Sequence, residues 1–173
     1  MLNFSTINNN DAKPCPNSPI LTDYDGNIYN TVQIGTQCWM KENLKTTHYS
    51  DGTGILLGGH AVSDTMAYFY YPNNDSSNVA FYGIYYNWPA LMNKAVSSFT
   101  IPSGVQGICP TGWHVPSDRE WTVLEDYVGS QSKYICGNDP KKIAKALAST
   151  EGWVEEEFPF DCSIATEIKS NNA

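Results

Sequence analysis

The chain has 173 residues, the usual size of a single domain that buries its own hydrophobic core. Hydrophobic residues make up 41% of it and charged residues 16%, which excludes a disordered chain and favours an exported protein whose surface is polar but weakly charged. The formal net charge is −8 and no basic stripe is present, so we expect no nucleic-acid partner. No apolar run approaches the roughly 18 residues of a membrane span.

The cysteines bear on the compartment. They form no C-x-x-C pair and the histidines lie at no zinc-binding spacing, so we expect no metal and no other cofactor. Scattered cysteines favour disulfides and hence an extracellular or cell-surface protein, although no signal peptide is visible at the start. Because five is an odd number, at least one has no partner within the chain. The cysteines are Cys15, Cys38, Cys109, Cys136 and Cys162.

The first predicted elements are extended. Residues 1–19 are a polar leader that we expect to be loosely ordered, and residues 20–173 are predicted to form one domain. The stretch "LTDYDGNIYNTVQIG" predicts a β-hairpin that turns at Asp25–Gly26 or at Gly26–Asn27. The stretches "CWMKENL" and "MAYFYYP" predict two further short strands. "FYGIYYNWPALMNK" predicts another strand and then a short helix with Pro89 in its first turn.

Two main helices are predicted after these strands. The first covers about residues 117–128, because Ser117 and Glu120 have the spacing of a capping box and Gly129 is a stop signal. The second covers about residues 140–149, with Asp139 as its cap and Pro140 in its first position. Strands followed by helices, without regular alternation, indicate the α+β class, and we expect the strands to be antiparallel and joined in hairpins. The apolar face of the first helix comprises Trp121, Leu124, Tyr127 and Val128.

Three stretches of the chain resemble one family. They are, in order, "TVQIGTQCWMKENLKTTHYSDG", "YGIYYNWPALMN" and "GICPTGWHVPSDREWTVLEDYVG". In them the chain is similar to the Fibrobacter succinogenes major paralogous domain, a family of surface and secreted proteins of Bacteroidetes and relatives, from about Asp23 to Trp153. The resemblance implies a C-type-lectin-like fold, distantly related to formylglycine-generating enzymes. In that fold "GWHVPSDREW" is the entry from a strand into a helix.

The resemblance also has implications for the end of the chain and for the cysteines. Family members usually continue beyond "NNA" into a segment with further strands and a final Cys, so we expect a chain that is incomplete at its C-terminus or completed by another chain. It implies Cys15–Cys38 and Cys136–Cys162 disulfides, each closing a loop of about 24–27 residues and worth roughly 3 kcal/mol. Cys109 is then unpaired in this chain.

Cys109 and His114 raise the question of an enzyme. A reactive cysteine needs a pKa lowered by a helix N-terminus or a cation, and the predicted helix start is close to both residues. However, nothing completes a triad, and the paired cysteines of formylglycine-generating enzymes have no counterpart here, so the related fold carries no activity. We therefore expect no catalytic residue and interpret this stretch as a structural joint. The joint consists of Trp113, His114, Ser117, Glu120 and Trp121.

Aromatic residues are the candidate ligand-binding groups. A Tyr side chain has an apolar face and a polar tip, which suits recognition, and a run of them precedes the loop "PNNDSSN". The alternative is a strand with one face buried in the core. The five Trp residues are interpreted as core residues. The candidate ligand-binding residues are Tyr68, Tyr70, Tyr71 and Tyr82.

These observations predict a function without catalysis. The first hypothesis is an exported, adhesin-like surface module that binds a glycan or a surface protein. The alternative is a structural subunit of a surface filament or appendage, completed by a neighbouring chain. An oxidase or hydrolase is the least favoured hypothesis.

Overall fold

The computed structural model of the chain describes residues 13–148. Within this range short strands and short helices follow one another irregularly, so the chain has the α+β class that was predicted. The described residues divide into two units. The central unit contains Ile20–Asn30 and Glu42–Trp121. The terminal unit contains Thr31–Lys41 together with the described residues before Ile20 and after Trp121.

The first sheet is antiparallel, with strand order β1-β2-β3. Its strands are β1 (Ile20–Thr22), β2 (Ile28–Ile34) and β3 (Gln37–Met40). The first residues of β2 pair with β1, and its last residues pair with β3. The predicted hairpin and the predicted strand after it are therefore confirmed.

The hairpin turn is wider than the predicted two-residue turn. The backbone N–H of Gly26 donates to the Asp23 carbonyl, and that of Asp23 donates to the Asn27 carbonyl. The Asp23 carboxylate accepts from the Asn27 N–H at 2.9 Å and from the Tyr29 hydroxyl at 2.6 Å. Tyr29 is fully buried, and this bond satisfies its hydroxyl. The hydrogen bond from the buried Tyr29 to Asp23 thus stabilises the longer turn.

The second sheet lies in the central unit and has the order β4-β5-β6. Its strands are β4 (Leu56–Leu57), β5 (Tyr68–Tyr70) and β6 (Tyr85–Tyr86). β5 and β6 are antiparallel, but β4 and β5 are parallel, which differs from the antiparallel arrangement that was predicted. The buried core of this unit consists of Tyr49, Ile55, Phe69, Ile84, Ala90 and Ile108.

Two short helices flank β6. The first, α1 (Val79–Tyr82), follows two 3-10 turns at Pro72–Asn74 and Ser76–Asn78. The second, α2 (Trp88–Met92), has Pro89 in its first turn as predicted, and the Asn87 side chain accepts a hydrogen bond from the Ala90 N–H. α1 was not predicted from the sequence.

The first main helix, α3 (Asp118–Gly129), lies where it was predicted. Leu124 and Val128 are fully buried, but Tyr127 is 41% exposed, so the predicted apolar face is wrong at that position. Gly129 is the last helical residue, and a Cβ there would lie 2.5 Å from the Pro140 carbonyl oxygen. Close backbone packing, rather than a left-handed cap, therefore requires this glycine.

The second main helix is shorter than predicted: α4 covers Ala144–Leu147. Asp139 and Pro140 do not begin it, because the Asp139 carbonyl accepts from the Lys142 N–H in a turn. The Asp139 carboxylate accepts from the Lys141 N–H at 3.0 Å. Asp139 therefore caps a turn, and the predicted helix start is wrong. Residue 149 lies outside the described residues.

Disulfide bonds cross-link the terminal unit. The predicted Cys15–Cys38 disulfide is confirmed. Cys136 is also disulfide-bonded, and its predicted partner, Cys162, lies outside the described residues. Cys15 is buried, and its N–H donates to the Thr31 hydroxyl at 3.1 Å. The described part of the predicted leader, residues 13–19, is thus attached to β2.

The tryptophans are less buried than the sequence predicted. Trp88 is 60% exposed, so its interpretation as a core residue is wrong. Trp39, Trp113 and Trp121 are half-buried, and Trp153 lies outside the described residues. The exposed Trp88 is the first residue of α2 and precedes Pro89, which is suited to the first turn of a helix.

Candidate functional site

The joint is a capped helix start. The Ser117 N–H donates to Glu120 Oε2 at 2.9 Å, and the Glu120 N–H donates to the Ser117 hydroxyl oxygen at 3.3 Å. These two bonds form a capping box and satisfy two N–H groups that the helix cannot satisfy itself. The Ser117 hydroxyl donates in turn to the Thr100 carbonyl at 2.9 Å. Ser117 and Glu120 are both buried.

The Glu120 carboxylate has further partners. His114 Nε2 lies 2.7 Å from Oε1, and the Ser103 N–H donates to Oε2 at 3.1 Å. Burial acts to raise the pKa of Glu120, but the hydrogen bonds from Ser117, His114 and Ser103 outweigh it and lower that pKa. Glu120 therefore holds the His114 ring through one of its nitrogens, Nε2.

Cys109 lacks the chemistry of a nucleophile. It is a free thiol, and burial raises its pKa to about 12. A reactive cysteine needs the opposite shift, because only the thiolate attacks. The hypothesis of a Cys109–His114 nucleophile and base therefore has no support in the described residues.

A second candidate site lies on one face of the second sheet. Alternate residues of a strand share a face, so Tyr68 and Tyr70 point to the same side of β5. Their register partners, Leu56 in β4 and Tyr85 in β6, point to that side as well. Leu56 and Tyr85 are 55% and 46% exposed, and the other two are half-buried. We call these four residues the tyrosine face.

The tyrosine face is held in place by its neighbours. The Tyr70 hydroxyl donates to the Ala61 carbonyl at 2.9 Å. Gly58 lies directly against the Tyr70 ring, where a Cβ would collide with it. The Tyr68 N–H donates to Asn87 Oδ1 at 3.0 Å. The backbone and rings are thus positioned before any ligand arrives.

Two of the four predicted binding residues lie elsewhere. Tyr71 packs against the core cluster, with its ring edge-on to Phe69 at 5.5 Å. Tyr82 lies in α1, is 40% exposed and packs edge-on against Phe81. Tyr85 was not predicted from the sequence. The available signal was that neighbouring residues of a strand point to opposite faces, so that one of Tyr85 and Tyr86 faces outward.

The described residues contain neither a candidate metal site nor a membrane-spanning helix. Among residues 13–148, no group of three His, Cys, Asp or Glu side chains could hold a metal ion. None of the helices in that part of the chain has the length and apolarity needed to cross a membrane.

Comparison with known proteins identifies the family. The model of the Fibrobacter succinogenes major domain matches residues 32–164 of the chain. No curated protein and no solved structure matches. The matched range covers well over half of the sequence and includes both the joint and the tyrosine face. The chain therefore belongs to the Fibrobacter succinogenes major domain family.

Proposed function

We propose that the chain is a non-catalytic, exported surface module that binds a glycan or a protein ligand through the tyrosine face. The observation that carries the proposal is the placement of three Tyr rings and one Leu on one open side of a single sheet. Tyrosine supplies large contact area and a hydrogen-bonding tip at low entropic cost. Glycans and protein loops both offer surfaces that such a face can bind.

Other observations support an exported module without catalysis. The Cys15–Cys38 disulfide fits an oxidising compartment, since such bonds rarely persist in the cytosol. The raised pKa of the Cys109 thiol favours a binding role over nucleophilic chemistry. The C-type-lectin-like arrangement implied by the resemblance belongs to this proposal and stays a prediction.

A glycan array combined with a panel of purified bacterial and host surface proteins tests the proposal. We expect wild-type protein to bind at least one member and Tyr85→Ala to weaken that binding by about tenfold or more, since central aromatic contacts dominate interfaces. Tyr82→Ala is the matched control, because Tyr82 has similar exposure but lies off the face. Equal losses in the two variants, or no binding by wild type, would contradict the proposal.

A second pair of variants tests the geometry without removing an aromatic ring. Gly58→Ala places a methyl group against the Tyr70 ring and should displace it, weakening binding. Gly54→Ala is the control, because its Cβ would meet only ordinary contacts with His48 at 3.6 Å. Unchanged binding by Gly58→Ala would show that Tyr70 does not contact the ligand.

A structural subunit completed by a neighbouring chain is the second candidate function. β4 is an edge strand of its sheet, and Leu56 and Leu57 are 55% and 52% exposed. An exposed apolar edge is a template for adding a strand from another chain. Sedimentation over a range of concentrations should then show assembly that Leu57→Lys abolishes. A monomer at every concentration would exclude self-assembly through this edge.

A further inference from the structure

The central unit has a cleft of about 180 Å³ that is separate from the tyrosine face. We call it the Trp88 cleft. Trp88, Phe99 and buried Met92 line it. Ser97 and Asp118, the first residue of α3, line it as well. The lining therefore combines aromatic residues with a serine and an aspartate.

The two aromatic walls are unusually exposed. Trp88 is 60% and Phe99 is 70% exposed, although both side chains are large and apolar. Trp88 begins α2 next to Pro89, behind the Asn87 cap. Exposed aromatic residues on fixed backbone are typical of contact sites for a ligand, because little entropy is lost on binding.

Ser98 and Thr100, the two neighbours of Phe99 in the chain, form the hydrogen bonds that hold this segment. Ser98 Oγ lies 2.9 Å from Thr100 Oγ1, and the Thr100 hydroxyl donates to the Pro102 carbonyl at 2.7 Å. The Thr100 carbonyl accepts from the capping residue Ser117. The joint therefore positions one wall of the cleft, which gives the capping box a role beyond starting α3.

We propose that the Trp88 cleft binds one neutral hexose residue of a glycan. A pyranose ring has C–H groups on its faces, which pack on aromatic rings, and hydroxyl groups on its edge, which hydrogen-bond to Ser97 and Asp118. A volume of 180 Å³ corresponds to about six water molecules, the scale of a single ring rather than a larger ligand. The Asp118 carboxylate and the net charge of −8 disfavour acidic sugars.

This inference rests on the proposed function only in taking the chain as a binding module, and it uses different residues. The test is a titration of wild-type protein with methyl glycosides of glucose, galactose and mannose, followed by saturation-transfer NMR and tryptophan fluorescence. The methyl glycoside of glucuronic acid is the acidic comparison. We expect at least one neutral glycoside to bind, and the glucuronide to bind about tenfold more weakly or not at all.

Variants then assign the site. Trp88→Ala and Phe99→Ala should each weaken binding about tenfold or more, while Trp88→Phe keeps a ring and should lose less. Both residues are exposed, so the variants are expected to fold, which circular dichroism checks. Tyr82→Ala is the control, because Tyr82 lies in α1, outside both the cleft and the tyrosine face, and this variant should bind the glycoside as wild type does.

Each other outcome overturns the inference in a distinguishable way. Loss of glycoside binding in Tyr85→Ala but not in Trp88→Ala would reject the cleft and leave the proposed function standing. Failure of every neutral glycoside to bind a protein that binds a surface protein would also reject the cleft alone. Failure of wild type to bind any glycoside, glycan or protein would reject both proposals.

Discussion

Glu120 joins three segments of the central unit through one carboxylate. It accepts from the N–H groups of Ser117 and Ser103 and contacts the His114 ring. Removing it leaves buried N–H groups without partners, and such groups cost more than a lost surface bond. A single side chain thus fixes the start of α3 and the backbone around it.

Glu120→Ala should lower the free energy of unfolding by about 2–3 kcal/mol, because it removes the helix cap and several buried bonds. Glu120→Gln keeps one acceptor oxygen and should cost about 1 kcal/mol. Urea unfolding followed by circular dichroism measures both. Glu125→Gln is the control, because Glu125 is an exposed carboxylate in the same helix. A loss in the control as large as that in Glu120→Gln would contradict the special role of Glu120.

The same carboxylate predicts a dependence of stability on pH. The pKa of Glu120 is lower in the folded chain than its ordinary value of 4.5. Its contribution is therefore complete above pH 4.5 and is lost as the pH falls through the folded-state pKa. Unfolding free energies measured from about pH 7 to about pH 3 should fall less steeply for Glu120→Gln than for wild type. Equal slopes would contradict the shift.

Gly129→Ala distinguishes propensity from packing by the sign of its effect. Alanine is the better helix former by about 1 kcal/mol, so propensity alone predicts a more stable protein. The new Cβ would instead meet the Pro140 carbonyl oxygen at 2.5 Å, so we expect a loss of about 2 kcal/mol. Gly54→Ala, which meets only ordinary contacts, should be neutral in the same thermal unfolding assay. Stabilisation by Gly129→Ala would show that the two segments do not pack closely.

At the scale of elements, Asn87 links α2, β5 and the loop before β5. Its Oδ1 accepts from the N–H groups of Tyr68 and Ala90, and its amide nitrogen donates to the Ser63 and Met66 carbonyls. The amide uses its donors and acceptors together, which no other side chain of this size can do. The start of α2 and the tyrosine face therefore depend on one residue.

Asn87→Ala and Asn87→Asp separate these roles. The alanine variant should lose about 2 kcal/mol, and amide exchange at Tyr68 and Ala90 should become faster. The aspartate variant keeps the acceptor oxygen, so both amides should stay protected while the loop at Ser63 and Met66 loosens. Hydrogen exchange read by NMR checks each position. Fast exchange at Tyr68 in the aspartate variant would contradict the assignment.

The elements that were predicted from sequence are those with local causes. Ser117 and Glu120 lie three residues apart, and their reciprocal bonds form wherever that spacing starts a helix. Asp139 carries a similar signal, but packing of the Pro140 carbonyl against Gly129 and the turn to Lys142 keep the helix from starting there. The partnership of Tyr70 with Tyr85 depends on pairing between separate strands, which local patterns do not contain.

At the scale of the whole molecule, the confirmed disulfide bond is a measurable source of stability. Cys15 and Cys38 are 23 positions apart, so their bond restricts the unfolded chain. The double variant Cys15→Ser, Cys38→Ser should lose roughly 3 kcal/mol in denaturant unfolding. Cys109→Ala, which removes a free thiol, should lose only about 1 kcal/mol. Comparable losses would show that loop closure contributes little.

The family and the α+β class followed from sequence, whereas the exposure of Trp88 did not. The family could be predicted because each of its three motifs is a continuous stretch of sequence. Trp88 was interpreted as core because it lies in one of the motifs that resemble the family, yet it is 60% exposed. Exposure of a single ring depends on packing across the whole unit, so composition and spacing could not predict it.

The raised pKa of the Cys109 thiol gives a way to measure transient opening of the central unit. The thiolate, not the thiol, attacks alkylating reagents, so at neutral pH this sulfur should react slowly while the central unit stays closed. Transient opening restores ordinary reactivity, and the labelling rate then reports the fraction of molecules that are open. Peptide mass spectrometry of iodoacetamide-treated protein at this cysteine would thus measure the open fraction of the central unit without an engineered label.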